Sequence, residues 1–133
     1  MEKIILIHGS GHKSDSWGET VSHLDYRDNV LCPELSAILG GREAGYPSLY
    51  AAFVQYCGEL GGPVHLCGLS LGGILALNCA IDSPERVRTL VLIGSPHKVP
   101  GAAFAFQNTV LRFLPKAMFA PMAFDKKNTF ALG

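Results

Sequence analysis

The sequence has no excess of charge of either sign, and this absence narrows the range of possible ligands. Its 133 residues include 11 basic and 11 acidic side chains, which gives a formal net charge of zero at pH 7. A nucleic-acid-binding protein is expected to carry a surplus of Lys and Arg that neutralises phosphates. The composition therefore predicts no nucleic-acid partner.

Long hydrophobic runs are also absent. No segment approaches the roughly 20 consecutive apolar residues that a membrane-spanning helix needs. The opening residues, Met1-Glu2-Lys3-Ile4, lead directly into a short apolar run. They lack the longer apolar region and the small-residue cleavage site of a secretory signal. These features predict no membrane partner and a cytoplasmic location.

Closely spaced cysteine pairs are missing as well. None of the four cysteines (Cys32, Cys57, Cys67, Cys79) belongs to a C-x-x-C pair, which would indicate a redox or zinc motif. We expect four reduced, mostly buried thiols and neither a metal nor a cofactor. Hydrophobic residues make up 48% of the chain and charged residues 17%, so one domain with an ordinary core is expected.

The sequence does contain an alternation of strand signals and helix signals. Predicted strands lie at 4–7, 30–32, 64–67 and 87–93, and predicted helices at 17–24, about 47–60 and 71–81. Residues 34–45 are predicted to be loop because they contain three glycines. Strands that alternate with helices predict an α/β fold with a parallel sheet of about four strands and flanking helices. Ligands bind at the edge of such a sheet where the carboxyl ends of the strands meet.

The most specific motif is G-x-S-x-G, which Gly68-Leu69-Ser70-Leu71-Gly72 form between an apolar strand and an apolar helix. This context places a serine hydroxyl on a sharp turn, beside the amide dipoles of a new helix. Glycine lets the chain turn sharply and lets the helix pack close to the strand. Ser70 is therefore the predicted nucleophile of an acyl transfer. A phosphate-binding turn is the alternative, but the sequence G-x-x-x-x-G-K-[ST] is absent.

A second loop, residues 8–12, follows the first predicted strand and should lie on the same sheet edge as Ser70. We predict that the backbone N–H groups of Ser10 and Leu71 form an oxyanion hole. His8 is expected to hold this loop by hydrogen bonds rather than to act as the catalytic base. The predicted substrate-binding residues are Gly9, Gly11, His12 and Leu69.

Together these segments resemble the N-terminal part of an α/β-hydrolase. Residues 4–11 resemble the third strand and oxyanion loop of that family, residues 67–73 its nucleophile elbow, and residues 84–94 its sixth strand. The resemblance implies that 1–96 are the N-terminal part of the hydrolase core and that 97–133 begin a helical cap. It also implies a serine hydrolase without a cofactor, most simply a carboxylesterase that forms an acyl-enzyme on Ser70 with a small apolar ester.

The resemblance supplies no catalytic acid or base. In the family both follow later strands, and no matching segment occurs before Gly133. Structural or loop roles are expected for His23, His65 and His97. The chain is then either a fragment of a longer hydrolase or a short protein completed by a partner, which is the missing C-terminal half or a second copy. The alternative function is a non-catalytic binding protein on a hydrolase-like scaffold.

Overall fold

A four-stranded parallel sheet organises residues 2–95, which are the residues that the computed structural model describes. The strands are β1 Lys3–Ile7, β2 Val30–Leu31, β3 Val64–Leu69 and β4 Val87–Ile93. They lie in the order β2-β1-β3-β4, and each neighbouring pair runs parallel. The predicted α/β class, with about four parallel strands and flanking helices, is confirmed.

Helices connect these strands. They are α1 Gly18–Ser22, α2 Leu35–Leu39, α3 Tyr46–Glu59 and α4 Leu71–Asp82, with short 3₁₀ turns at Ser14–Trp17, Arg27–Asn29 and Pro84–Arg86. Within the span 2–95, no helix is both long and apolar enough to cross a bilayer. The predicted cap, residues 97–133, lies outside the described residues.

The core lies between one face of the sheet and the helices α3 and α4. Alternate strand residues share a face of the sheet, so Ile5 and Ile7 of β1 point to the same side. Phe53 of α3 and Leu75 of α4 are fully buried in the cluster that contains them. Burial of such side chains contributes about 1.5–3 kcal/mol each. This packing keeps the carboxyl ends of β1 and β3 side by side, where the two candidate loops begin.

β4 is an edge strand within residues 2–95. Its register pairs Cys67 with Val91 and Leu69 with Ile93 on the β3 side, and no described strand lies on its other side. Three successive apolar side chains of β4 remain 39% to 51% exposed: Val91, Leu92 and Ile93. The end of this strand also reaches Ser70, as described below.

The structure differs from the predicted loop over residues 34–45, because Leu35–Leu39 form α2. The expected helix at 17–24 is shorter, since a 3₁₀ turn ends at Trp17 and only Gly18–Ser22 are α-helical. β3 continues two residues further than predicted, because Gly68 pairs with Ile7 of β1. The bounds predicted for the fourth strand are those observed.

The four cysteines are free, as expected. Cys57 and Cys79 are buried, whereas Cys32 and Cys67 are half-buried. A hydrogen bond to Cys79 and burial both raise the pKa of the Cys57 thiol. Cys57 therefore stays protonated in the packing between α3 and α4.

Candidate active site

Ser70 forms the sharp turn between the end of β3 and the start of α4. Its backbone angles are φ 52° and ψ −113°, and within residues 2–95 it is the non-glycine residue with a positive φ. Holding a serine in this region costs on the order of 1–3 kcal/mol, so the surrounding structure must enforce it. The residue is solvent-exposed. The turn therefore presents Ser70 at the carboxyl edge of the sheet.

Two glycines of the motif permit this turn because a side chain at either position would collide with backbone. A Cβ on Gly68 would overlap the carbonyl group of Gly72. A Cβ on Gly72 would overlap the carbonyl of Ile7 and would lie 2.7 Å from the carbonyl oxygen of His8. The first turn of α4 thus packs directly on the end of β1, which supports the close approach expected of these glycines.

Backbone hydrogen bonds hold Ser70 on both sides. Its N–H donates to the Ile93 carbonyl oxygen at 2.9 Å, which attaches the turn to the end of β4. Its carbonyl oxygen accepts from the N–H groups of Gly73 at 3.0 Å and Ile74 at 3.2 Å, as the first helical bonds of α4. The Leu71 N–H lies at the start of α4, where amide groups have no hydrogen-bond acceptor within the helix.

The loop after β1 lies against Ser70. An ideal Cβ on Gly9 would be 3.2 Å from the Cβ of Ser70 and 3.2 Å from the Leu69 carbonyl oxygen. The loop closes as a turn in which the His12 N–H donates to the Gly9 carbonyl at 3.2 Å. Gly11 has φ 76°, which favours glycine at that turn position. Ser10 is exposed at the tip of the turn.

The structure therefore brings together most of the residues that the sequence singled out. Gly9, Leu69 and Ser70 are in direct proximity. The ring of His12 is also near, with its Cδ2 3.7 Å from the Cβ position of Gly9.

His8 is buried below this loop, and both of its ring nitrogens are occupied. Nδ1 donates to the Gly9 carbonyl oxygen at 2.9 Å, and Nε2 accepts from the Leu35 N–H at 3.1 Å. A carbonyl can only accept, so Nδ1 carries a hydrogen. The Glu34 carboxylate also lies 3.1 Å from Nε2. These contacts support the structural role expected of His8.

Two other histidines lie away from Ser70. His65 is in β3, where its Nε2 is 3.2 Å from Glu2 Oε2 and its Nδ1 is 2.8 Å from Thr89 Oγ1. His65 and Thr89 line a cavity of about 530 Å³ together with apolar side chains of the sheet. His23 follows α1, where its Nδ1 donates to the Glu19 carbonyl at 2.8 Å. Their neighbours support structural roles for both, whereas His97 lies outside the described residues.

Metal-binding side chains do not cluster in the part of the chain that the structure describes. No group of three or more His, Cys, Asp or Glu side chains there has the arrangement to hold a metal ion.

The sequence did not reveal the contribution of the segment after β4. Besides Ile93, this segment includes Ser95, whose hydroxyl donates to the Ser70 carbonyl oxygen at 3.0 Å. The available signal was that Gly94 and Ser95 directly follow the fourth strand, whose carboxyl end must lie on the same sheet edge as Ser70.

Comparisons with known proteins place this geometry in a family. The model of the alpha/beta hydrolase family matches residues 4–132. A pimeloyl-(acyl-carrier protein) methyl ester esterase of Nitrosomonas europaea is 32% identical over 92 residues, which are 69% of this chain and 36% of the esterase. The same enzyme of Aromatoleum aromaticum is 36% identical over 92 residues, with the same coverage of each chain.

Two further similarities are to a hydrolase named for a different substrate and to a solved structure of lower identity. A 2-hydroxy-6-oxononadienedioate/2-hydroxy-6-oxononatrienedioate hydrolase of Burkholderia vietnamiensis is 31% identical over 105 residues, 70% of this chain and 36% of that protein. The solved structure of an extracellular alpha/beta-hydrolase from a Paenibacillus species superposes with a TM-score of 0.65 at 20% identity, over 90% of this chain and 57% of that one. The chain thus spans about a third of the length of the curated relatives it matches.

Proposed function

The chain belongs to the α/β-hydrolase family, and we propose that it is a serine hydrolase in which Ser70 is the nucleophile. The observation that carries this proposal is the exposed, positive-φ serine between β3 and α4, with the loop of Gly9 against it. Strained, exposed backbone of this kind concentrates at functional sites, because folding has to maintain it against its cost.

Two backbone amides are proposed to stabilise the oxyanion. The Leu71 N–H belongs to the first turn of α4, where the positive end of the helix dipole favours developing negative charge. The Ser10 N–H belongs to the exposed turn that lies beside Ser70. Loss of one such donor typically reduces the rate by about 10²–10³-fold.

The proposed reaction is ester hydrolysis in two steps. Ser70 Oγ attacks the carbonyl carbon of the ester, its proton passes to a base, and the negative charge collects on the carbonyl oxygen. Collapse of this intermediate expels the alcohol, which takes up that proton, and leaves an acyl-enzyme on Ser70. Water then attacks the acyl group, which releases the acid and restores the serine.

The base and the acid that orients it are proposed to come from further polypeptide. His8 is excluded because its nitrogens are occupied, and His23 and His65 have other partners. The curated relatives are about three times the length of the aligned segment, so the remainder of a longer hydrolase is the favoured source. A second copy of the chain is the other source that the sequence left open.

A carboxylic ester is the proposed substrate class. The relatives from Nitrosomonas europaea and Aromatoleum aromaticum are named as methyl ester esterases. The small, fairly apolar ester expected from the sequence stays a prediction, since those names give an ester of an acyl-carrier protein as the substrate.

A fluorophosphonate probe tests the nucleophile directly. We expect the folded 133-residue chain to be labelled slowly at Ser70, as located by mass spectrometry of the tryptic peptide, because the oxyanion hole alone leaves a residual rate about 10³–10⁴-fold above that in water when the base is absent. Ser70→Ala should abolish the labelling, and urea denaturation should abolish it too because the turn must be held in place. Ser22→Ala is a matched control, since Ser22 is an exposed serine on α1 whose hydroxyl bonds only locally.

The competing function is a binding protein that keeps the hydrolase scaffold without its chemistry. A chain that is folded by circular dichroism but is not labelled at Ser70 would favour that function. Labelling that survives in Ser70→Ala would also contradict the proposal.

A further inference from the structure

The peptide unit between Ser70 and Leu71 carries two groups that matter to the proposed site. Its carbonyl belongs to Ser70, and its N–H is the proposed oxyanion donor of Leu71. A trans peptide is planar, so its C=O and N–H point in opposite directions. Any group that fixes the carbonyl therefore also fixes the direction of the N–H.

Ser95 contacts this carbonyl from outside the turn. Its Oγ lies 3.0 Å from the Ser70 carbonyl oxygen and 3.3 Å from the Ile93 carbonyl oxygen. A hydroxyl has one hydrogen to donate, and the shorter contact is the one to Ser70. Both oxygens also accept backbone bonds, the Ile93 oxygen from the Ser70 N–H at 2.9 Å and the Ser70 oxygen from the N–H groups of Gly73 and Ile74, so the shorter distance decides the assignment. The Ser95 hydroxyl is therefore assigned as a donor to the Ser70 carbonyl.

The space for this contact depends on Gly73. An ideal Cβ at position 73 would overlap the Ser95 Oγ and would lie 2.6 Å from the Ser95 Cβ. The absence of a side chain at Gly73 thus lets the Ser95 hydroxyl reach the start of α4. Gly73, which follows the G-x-S-x-G motif, therefore has a specific packing role of its own.

We infer that Ser95 is a positioning residue, whose hydroxyl orients the Leu71 N–H toward the oxyanion by holding the Ser70–Leu71 peptide. This inference rests on the proposed function. Hydrogen bonding at the carbonyl also polarises the peptide, which makes its N–H a stronger donor. Ser95 reaches neither the nucleophile's hydroxyl nor the substrate in this role and acts through the backbone alone.

The proposed role of Ser95 affects the chemical step and leaves binding unchanged. An oxyanion donor acts on charge that develops in the transition state, so its misalignment should slow acylation without weakening the initial encounter. We expect a reduction of about 10-fold in Ser95→Ala, less than the 10²–10³-fold that follows loss of a whole donor. A hydroxyl at the same position should restore the rate, so Ser95→Thr is the conservative variant.

The experiment is a time course of labelling by a fluorophosphonate at several probe concentrations, with the full 133-residue chain. It yields the saturating acylation rate and the apparent probe affinity for wild type, Ser95→Ala, Ser95→Thr and the control Ser22→Ala. A parallel thermal melt reports stability. The expected result is a slower saturating rate in Ser95→Ala alone, with unchanged affinity and an unchanged melting temperature.

The other outcomes contradict either the role of Ser95 or the proposed function. Equal acylation rates in wild type and Ser95→Ala overturn the inference and leave Ser70 as the proposed nucleophile. A loss that appears in probe affinity or in melting temperature, with the saturating rate unchanged, also overturns it, because the hydroxyl is then merely structural. Absence of wild-type labelling at Ser70 overturns the proposed function, and the inference with it.

Discussion

At the scale of single residues, glycine weakens a helix but permits close packing of that helix on the sheet. Glycine in a helix usually costs up to about 1 kcal/mol relative to alanine, because it loses more backbone freedom on folding. At Gly72 that cost is outweighed, since a methyl group would enter the space of the Ile7 and His8 carbonyls. The close approach of α4 to β1 is thus achieved at the expense of helix propensity.

Substitution of Gly72 by alanine tests this balance. We expect Gly72→Ala to destabilise the chain by about 3 kcal/mol, at the upper end of the range for overpacking, because the obstacle is backbone. Chemical denaturation with urea, followed by circular dichroism, measures the change in the free energy of unfolding.

Gly18→Ala is the matched control for that prediction. Gly18 is also helical, with φ −54° and ψ −46°, and nothing lies within 4 Å of its Cβ position. The alanine there should stabilise the chain by about 0.5–1 kcal/mol. Similar effects at the two positions would contradict the packing role of Gly72.

At the scale of elements, sequence patterns predicted long regular segments well and short ones poorly. β4 was bounded correctly, because an apolar, β-branched run lies between a 3₁₀ turn and Gly94. α2 was missed, although Leu35, Ile38 and Leu39 have helical spacing. The six residues between Pro33 and the two glycines at 40 and 41 provide too little periodicity to outweigh the loop signal.

The candidate site was likewise predictable only in part. The meeting of the Gly9 loop with Ser70 was predictable, because parallel topology places both strand ends on one edge. The contact of Ile93 and Ser95 with the Ser70 backbone was not, since it depends on the exact register of β4 on β3. The roles of Ser10, Leu71 and the residues expected to line the substrate site stay predictions.

Glu34 connects the 3₁₀ turn at Ser14–Trp17 with α2, and its ionisation should make the stability of the fold depend on pH. Burial of this carboxyl raises its pKa, but the hydrogen bond from the Ser14 amide at 2.9 Å, the nearby His8 ring and the Ser36 hydroxyl together outweigh burial and hold the pKa below its usual value. A lowered folded-state pKa stabilises the fold above the unfolded value. That contribution is lost as the pH falls through the folded-state pKa.

We expect Glu34→Gln to lower the free energy of unfolding by about 1 kcal/mol at pH 7, as for loss of a typical hydrogen bond. The difference from wild type should be smaller at pH 3 than at pH 7, because protonation of Glu34 in wild type becomes more extensive as the pH falls. Urea midpoints at the two pH values measure it. Glu43→Gln, at an exposed position, should change stability by less than about 0.5 kcal/mol at either pH.

At the scale of the whole molecule, the dominant feature of residues 2–95 is the uneven cover of the sheet. Its core face is packed by α3 and α4, whereas β4 presents successive apolar side chains to solvent. Parallel sheets are normally covered on both faces, and apolar edge strands promote pairing with other chains. Within residues 2–95, β4 is therefore the segment most prone to self-association.

A charge on this edge should oppose that association. We expect Val91→Lys to shift the chain toward monomer in size-exclusion chromatography with light scattering, since Val91 is 51% exposed. Ile81→Lys is the control, because Ile81 is 66% exposed on α4 but is not part of a strand edge. A lower melting temperature with unchanged association in Val91→Lys would mean that this edge is already occupied.

The hydrogen bond from Ser70 to Ile93 also has a consequence for biosynthesis. Ser70 leaves the ribosome well before Ile93, so a nascent chain that ends ahead of β4 lacks the bond that keeps the turn in its strained form. Such an intermediate can relax the serine into an ordinary backbone conformation. The strained turn that the proposed nucleophile needs is then completed when β4 docks beside β3.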